Sequence, residues 1–172
     1  MLSQKAKVLQ ALGGRTMLNH VLTTANKISN KISVVVGFDK EGVEEEIKKI
    51  GINVNTYLQK EQIGTADAVK TTLKDIDKNE KILILYGDVP LIKEETLKKL
   101  CNQESDLSIL TTNLENPTGY GRALKDKENN VLGIIEEKDA DSEQKKIKEI
   151  FTGILVAKGS VLKKYIPEIN NN

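Results

Sequence analysis

Apolar residues fall at helical spacing near the start of the chain. Leu18, Val21, Leu22, Ala25 and Ile28 form an i, i+3, i+4, i+7 stripe behind Thr16, a residue type that caps helices. The period then changes, and the β-branched run Ile32 to Val36 predicts a strand. Asp39 is placed to cap a second helix burying Val43, Ile47 and Ile50, and Val54 to Leu58 predicts a second strand. Gly64-Thr65 opens a helix through Ala66, Val69 and Leu73. Ile82-Leu83-Ile84-Leu85 is apolar without a break, as expected of a central parallel strand covered on both faces. A helix from Glu94 to Leu100 and a strand from Leu107 to Thr112 follow.

After Thr112 the texture differs. Gly121 to Lys125 and Val131 to Glu136 predict a hairpin around Glu128-Asn129-Asn130, then a charged helix from Ser142 to Lys148 and a strand from Phe151 to Ala157. The expected class is α/β, a doubly wound and mostly parallel sheet with an antiparallel addition late in the chain. No internal repeat or linker interrupts the 172 residues, a length that suits one domain. The only low-complexity patch is Asn170-Asn171-Asn172.

Composition narrows the partners. The chain is 38% hydrophobic and 30% charged, the balance of a globular protein, and its net charge of +1 attracts neither nucleic acid nor an anionic membrane. Arg15 and Arg122 are the only arginines, so the preferred bidentate reader of phosphates and guanines is nearly absent. Two phenylalanines, four tyrosines and no tryptophan leave little to stack on bases. The lone Cys101 provides no intramolecular disulfide and no cysteine zinc site, which fits a cytoplasmic chain. No apolar run approaches the ~18 residues of a membrane span.

Four segments can carry chemistry. In open α/β sheets ligands bind beyond the carboxyl ends of strands, and Leu85-Tyr86-Gly87-Asp88-Val89-Pro90-Leu91 is such an end. Asp88 suits a hard cation resting on a phosphate, and equally a turn cap. Gln59 to Ala66 sets an amide at a strand end and Gly64-Thr65 at a helix start, an arrangement that meets a base edge or simply caps the helix. Asn116-Pro117-Thr118-Gly119-Tyr120-Gly121-Arg122 is a dense glycine turn, open to a sugar or merely tight. In Ile134-Ile135-Glu136-Glu137, strand alternation sends the two carboxylates to opposite faces, one toward a pocket or both to solvent. His20 lies off the apolar stripe of its helix and is expected in solvent. Cys101 and the Lys145-Lys146-Ile147-Lys148 cluster are expected to have no chemical role.

Taken in order, Lys7-Val8-Leu9, Gln59 with Gly64-Thr65-Ala66, Tyr86 to Leu91, Pro117 to Arg122 and Glu136 to Ala140 resemble the N-acetylglucosamine-1-phosphate uridylyltransferase domain. That domain is the N-terminal half of the bacterial bifunctional enzyme that makes UDP-N-acetylglucosamine for peptidoglycan and lipopolysaccharide. The resemblance implies a Rossmann-like nucleotide-diphospho-sugar transferase fold. It also implies that the oxygen of N-acetylglucosamine 1-phosphate attacks the α-phosphorus of UTP and expels pyrophosphate. By the same resemblance Lys7 contacts phosphate and Asp88 holds Mg²⁺. Gln59, Gly64 and Thr65 bind uridine, and Tyr86, Gly87, Gly121 and Glu136 surround the nucleotide and amino sugar. Such chemistry rests on positioning and charge neutralisation.

Departures from the family pattern are informative. The family's loop, L-x-A-G-x-G-T-R-M, precedes the lysine motif, and Met1 aligns with its closing methionine. The loop, its arginine and the first strand are therefore expected to be missing, along with the asparagine that supplies a second magnesium ligand and the hexapeptide-repeat acetyltransferase half. Phe151 replaces a sugar-contacting asparagine, and Ala6 a proline. The resemblance thus implies a partial domain that releases no pyrophosphate by itself, has an incomplete sheet between Ile32–Val36 and Ile82–Leu85, and does not oligomerise. The competing readings are a catalytically dead nucleotide-sugar-binding module and a transferase for another sugar or cofactor.

Overall fold

The computed structural model describes residues 5–169. Met1, the residue aligned with the family's loop, and the Asn170–Asn172 patch lie outside them.

A short hairpin comes first: β1 (Ala11–Leu12) and β2 (Arg15–Thr16), turned by Gly13 and Gly14, both at positive φ. Thr16 Oγ1 accepts from the Asn19 N–H at 3.0 Å, so the expected cap forms and starts α1 (Met17–Asn26). Leu18, Val21 and Leu22 of the stripe are buried. His20 is not simply solvated, because its Nε2 lies 2.8 Å from the Leu12 carbonyl oxygen and ties α1 to the hairpin.

Next come β3 (Ser33–Val36), α2 (Lys40–Ile50) and β4 (Asn55–Leu58), a parallel crossover unit in register from Ser33 opposite Asn55 to Val36 opposite Leu58. Asp39 does not cap α2. It sits in the left-handed region at φ 55, and its carboxylate accepts from the Ala6 N–H at 2.9 Å instead. The helix starts without a side-chain cap because the carboxylate is spent on the N-terminal segment.

The remaining elements are α3 (Thr65–Lys70), β5 (Lys81–Ile84), α4 (Glu94–Cys101), β6 (Leu107–Asn113), β7 (Arg122–Lys125), β8 (Val131–Ile135), β9 (Glu149–Lys158) and α5 (Gly159–Tyr165). The charged helix expected from Ser142 to Lys148 is only a 3-10 turn, Gln144–Lys146. That segment has Ile147 as its single apolar residue, too little for a helix to bury.

Helices and strands alternate as the pattern predicts, but β5 is not flanked by parallel neighbours. The reason is β9, a ten-residue strand that inserts between β5 and β6 and runs antiparallel to both. Leu155 is opposite Ile84 on one edge and Ile109 on the other. Farther back, Ile150 is opposite Thr112 and Arg122, so β5 and β7 share one edge of β9 and leave residues 151–154 between them. The hairpin of β7 and β8 forms as expected.

No ladder joins β3 to β5 among the described residues, which agrees with the expected gap. The core divides at the same place. Leu18, Leu22, Val36, Val43 and Ile47 form one cluster, and Leu97, Leu100, Ile154 and Val156 another.

β9 also anchors a charged network. Glu149 accepts from Lys125 Nζ on β7 and Thr111 Oγ1 on β6, and these hydrogen bonds hold its carboxyl below the usual carboxylate range. A lowered folded-state pKa contributes stability that is present above the unfolded value and lost as pH falls through the folded one. Urea midpoints should therefore decline more steeply below pH 4.5 in the native chain than in Glu149→Gln, and equal slopes would remove Glu149 from the acid limb.

Candidate functional site

The gap between β3 and β5 is bridged by residues 6–9. Lys7–Leu9 form a 3-10 turn in front of α1. The Ala6 N–H reaches Asp39, just past β3, while Lys7 Nζ meets Asp88 Oδ2 at 2.7 Å, just past β5. Between them Val8 packs on Gly87, where an added Cβ would lie 3.0 Å from Val8 Cγ1. Three apolar residues of this segment, Ala6, Val8 and Leu9, lean on the α1–α2 cluster. The turn is thus fixed from below by packing and from both sides by carboxylates.

The sequence leaves Asp88 open between a turn cap and a ligand carboxylate. In the structure α4 starts at Glu94 and Asp88 caps nothing; it faces Lys7, and its side chain is 32% exposed. Lys7 is exposed, and its hydrogen bond to Asp88, followed by the charge of Asp88, raises its pKa above the usual lysine value. A cation beside a carboxylate at a strand end can take phosphate on one and a hard metal on the other.

Tyr86 fills the vacated edge of β9. Its ring lies over Gly153, at φ +83, where a Cβ would sit 1.8 Å from Tyr86 Cε2. Beside it the Phe151 N–H donates to the Gly121 carbonyl at 2.9 Å, so the glycine turn is stitched to the same stretch of β9. Gly121 is as tightly enclosed as Gly87: a Cβ there would meet Ile134 at 2.8 Å and Glu136 Oε1 at 3.2 Å. Glu136 therefore lies against the turn, on an exposed strand end. Glu137 lies in the turn that follows β8, where strand alternation no longer applies, and pairs with Arg122 at 2.5 Å.

Gln59 is committed differently from the expected base-edge pair. Its Nε2 donates to the Gly64 carbonyl at 2.9 Å and to Asp67 Oδ2 at 3.0 Å, which uses both amide protons and leaves Oε1 as an acceptor. Gly64 holds φ +134 immediately before Thr65, the first residue of α3.

Lys7, Asp88, Tyr86 and Gly87 are brought together directly, and Gly121 and Glu136 form a second group linked to them through β9. Gln59, Gly64 and Thr65 form a third at the end of β4. Four further contributors, Asp39, Val8, Gly153 and Glu137, are not among the site residues that the sequence predicts. A glycine inside an apolar strand run is the one signal that marks Gly153; the others depend on long-range contacts. Among the described residues no three His, Cys, Asp or Glu side chains gather as a metal cage. A single carboxylate suits Mg²⁺, which is held largely by substrate phosphate and water. No helix of the described residues is long and apolar enough to cross a membrane.

The domain family described as "MobA-like NTP transferase domain" matches residues 2–145. "Bifunctional protein GlmU" of Ruthia magnifica subsp. Calyptogena magnifica is 42% identical over 172 residues, covering 99% of this chain and 37% of the relative. The protein of the same name from Thermosipho melanesiensis is 45% identical over 174 residues, with the same coverage. The chain thus spans about 37% of the length of these curated relatives. A putative glucose-1-phosphate thymidylyltransferase from Bacillus anthracis superposes with a TM-score of 0.74 at 18% identity, covering 95% of this chain and 67% of that one. HddC from Yersinia pseudotuberculosis gives 0.69 at 15% identity, covering 95% and 72%. These two likenesses show a shared fold.

Proposed function

This chain belongs to the MobA-like NTP transferase domain family, and on that premise we propose that it serves nucleotidyl transfer to a sugar 1-phosphate, with UTP and N-acetylglucosamine 1-phosphate as substrates. The observation that carries the reading is the Lys7–Asp88 pair, held at the gap between β3 and β5 by Val8 seated on Gly87. The ordered motifs that resemble the N-acetylglucosamine-1-phosphate uridylyltransferase domain support the uridine and amino-sugar assignment.

In the proposed reaction a sugar 1-phosphate oxygen attacks the α-phosphorus of UTP and pyrophosphate leaves. Lys7 neutralises phosphate charge and orients the chain of phosphates across the gap. Asp88 offers the carboxylate oxygen for Mg²⁺, which when bound neutralises charge on the phosphate oxygens. Gln59, its amide nitrogen fixed by Gly64 and Asp67, turns Oε1 to an N–H of the uracil edge. Gly87 and Gly121 let backbone approach the ligand, and Glu136 accepts from sugar hydroxyls.

Calorimetry on the chain with UTP, GTP and UDP-N-acetylglucosamine, each with and without Mg²⁺, tests the reading. Uridine nucleotides should bind more tightly than GTP, and Mg²⁺ should strengthen UTP binding. A preference for GTP, or equal affinity for both bases, overturns the uridine assignment. Lys7→Met adds a control: its ion pair is exposed, so the thermal midpoint should hardly move, whereas UTP binding should weaken. A large loss of thermal stability would mark the pair as structural.

A further inference from the structure

We propose that Arg122, together with Glu137, is a positioning residue that holds the 117–121 turn and the Glu136 carboxylate where they meet the sugar of a nucleotide sugar. This rests on the function proposed above and assigns work to two residues outside it. Arg122 is 1% exposed, the only charged side chain buried among the described residues. Burying a guanidinium costs more than its ion pair returns unless its donors are well used, and a well-packed apolar residue commonly serves stability better. Nε of Arg122 is buried without a hydrogen-bond partner, which adds to that cost. Both terminal nitrogens are spent on the turn. One donates to the Tyr120 carbonyl, and the other to Glu137 Oε2 at 2.5 Å. The same Glu137 oxygen accepts from the Gly119 N–H at 3.3 Å. Gly119 and Tyr120 are thus tied to one Arg–Glu pair, and Gly121 to β9 through Phe151.

The pair also sets Glu136. Glu136 and Glu137 directly follow the last residue of β8, so holding Glu137 on Arg122 and the Gly119 N–H fixes the backbone beside Glu136, whose Oε1 would lie 3.2 Å from a Cβ on Gly121. Lysine lacks the planar fork that serves a carbonyl and a carboxylate together. The uridine side of the site, Gln59 with Gly64 and Asp67, shares no hydrogen bond with this pair. Loss of the pair should therefore separate sugar recognition from uridine recognition.

The test is calorimetry of UDP and of UDP-N-acetylglucosamine on the native chain and on Arg122→Met, Arg122→Lys and Glu137→Gln, with circular dichroism to check folding. The readout is the ratio of the two affinities, which a loss of general stability does not move. In Arg122→Met and Glu137→Gln the advantage of the sugar nucleotide should fall about tenfold, the scale of one lost charge-assisted hydrogen bond, while UDP affinity holds. Arg122→Lys should restore part of it. If Arg122→Met fails to fold, Glu137→Gln, whose side chain is one-third exposed, decides alone. An unchanged ratio in the folded variants overturns the positioning role and leaves the proposed function standing. A native chain that binds neither nucleotide, or gains nothing from the sugar, overturns the proposed function and this inference with it.

Discussion

Asp88→Ala should abolish the Mg²⁺-dependent part of UTP binding and leave the thermal midpoint nearly unchanged. Asp88 caps no helix, its ion pair with Lys7 is exposed, and it belongs to neither apolar cluster, so the fold has little to lose. Binding has much to lose, because this is the carboxylate that meets Lys7 across the gap. In an assay of pyrophosphate release, the same change should lower turnover roughly 100-fold or more, the scale of removing a group that stabilises transition-state charge. Asp88→Asn should behave similarly, since it keeps the shape and loses the charge. If Mg²⁺ enhances UTP binding equally in native and substituted chains, Asp88 is not the metal ligand. Turnover within a few fold of the native rate would exclude that role as well.

Gly153→Ala should be among the most damaging single substitutions for the fold. Two penalties coincide there. The backbone holds φ +83, which L side chains rarely adopt, and the new Cβ would overlap the Tyr86 ring at 1.8 Å. Relief requires moving the ring off β9 or straightening the strand that carries Ile154 and Val156 of the second core. Together these should cost about 3 kcal/mol or more in a urea titration. The near-ultraviolet signal of the tyrosines should change, and uridine nucleotide binding should weaken because Tyr86 borders Gly87 and Asp88. Gly133 is the control: a Cβ there meets nothing within 4 Å, and Gly133→Ala should be nearly neutral. Equal stability of the two variants would show that Tyr86 shifts freely and that its seat on Gly153 is unimportant.

Periodicity is enough for the elements whose burial is local. The stripe of α1, the β-branched β3 and the amphipathic α2 and α4 form where the pattern places them, because one face of each has an apolar cluster to cover. It misleads where polarity outweighs a single apolar residue, as at 142–148, and where a cap residue finds a distant partner, as Asp39 does in Ala6. The motifs are legible as segments, and their order carries the family resemblance, since each segment needs only a few residue types at short spacing.

Sequence alone thus determined the α/β class, the strand ends that bear polar residues, and Lys7, Asp88, Gln59, Gly121 and Glu136 as the groups to watch. What joins them is non-local. That Lys7 lies 2.7 Å from Asp88, 81 residues away, follows from how residues 6–9 cross the gap between two sheets. That β5 has an antiparallel neighbour follows from β9, which arrives last and inserts between strands already separated in sequence. The seat of Glu137 was decided by Arg122, 15 residues away, and the place of Tyr86 by a glycine on β9 that leaves room for its ring. Local spacing encodes which face of an element is apolar. Which elements meet, and which of two neighbouring carboxylates finds a buried cation, depends on contacts between residues apart in the chain, and these exist only once the core has closed.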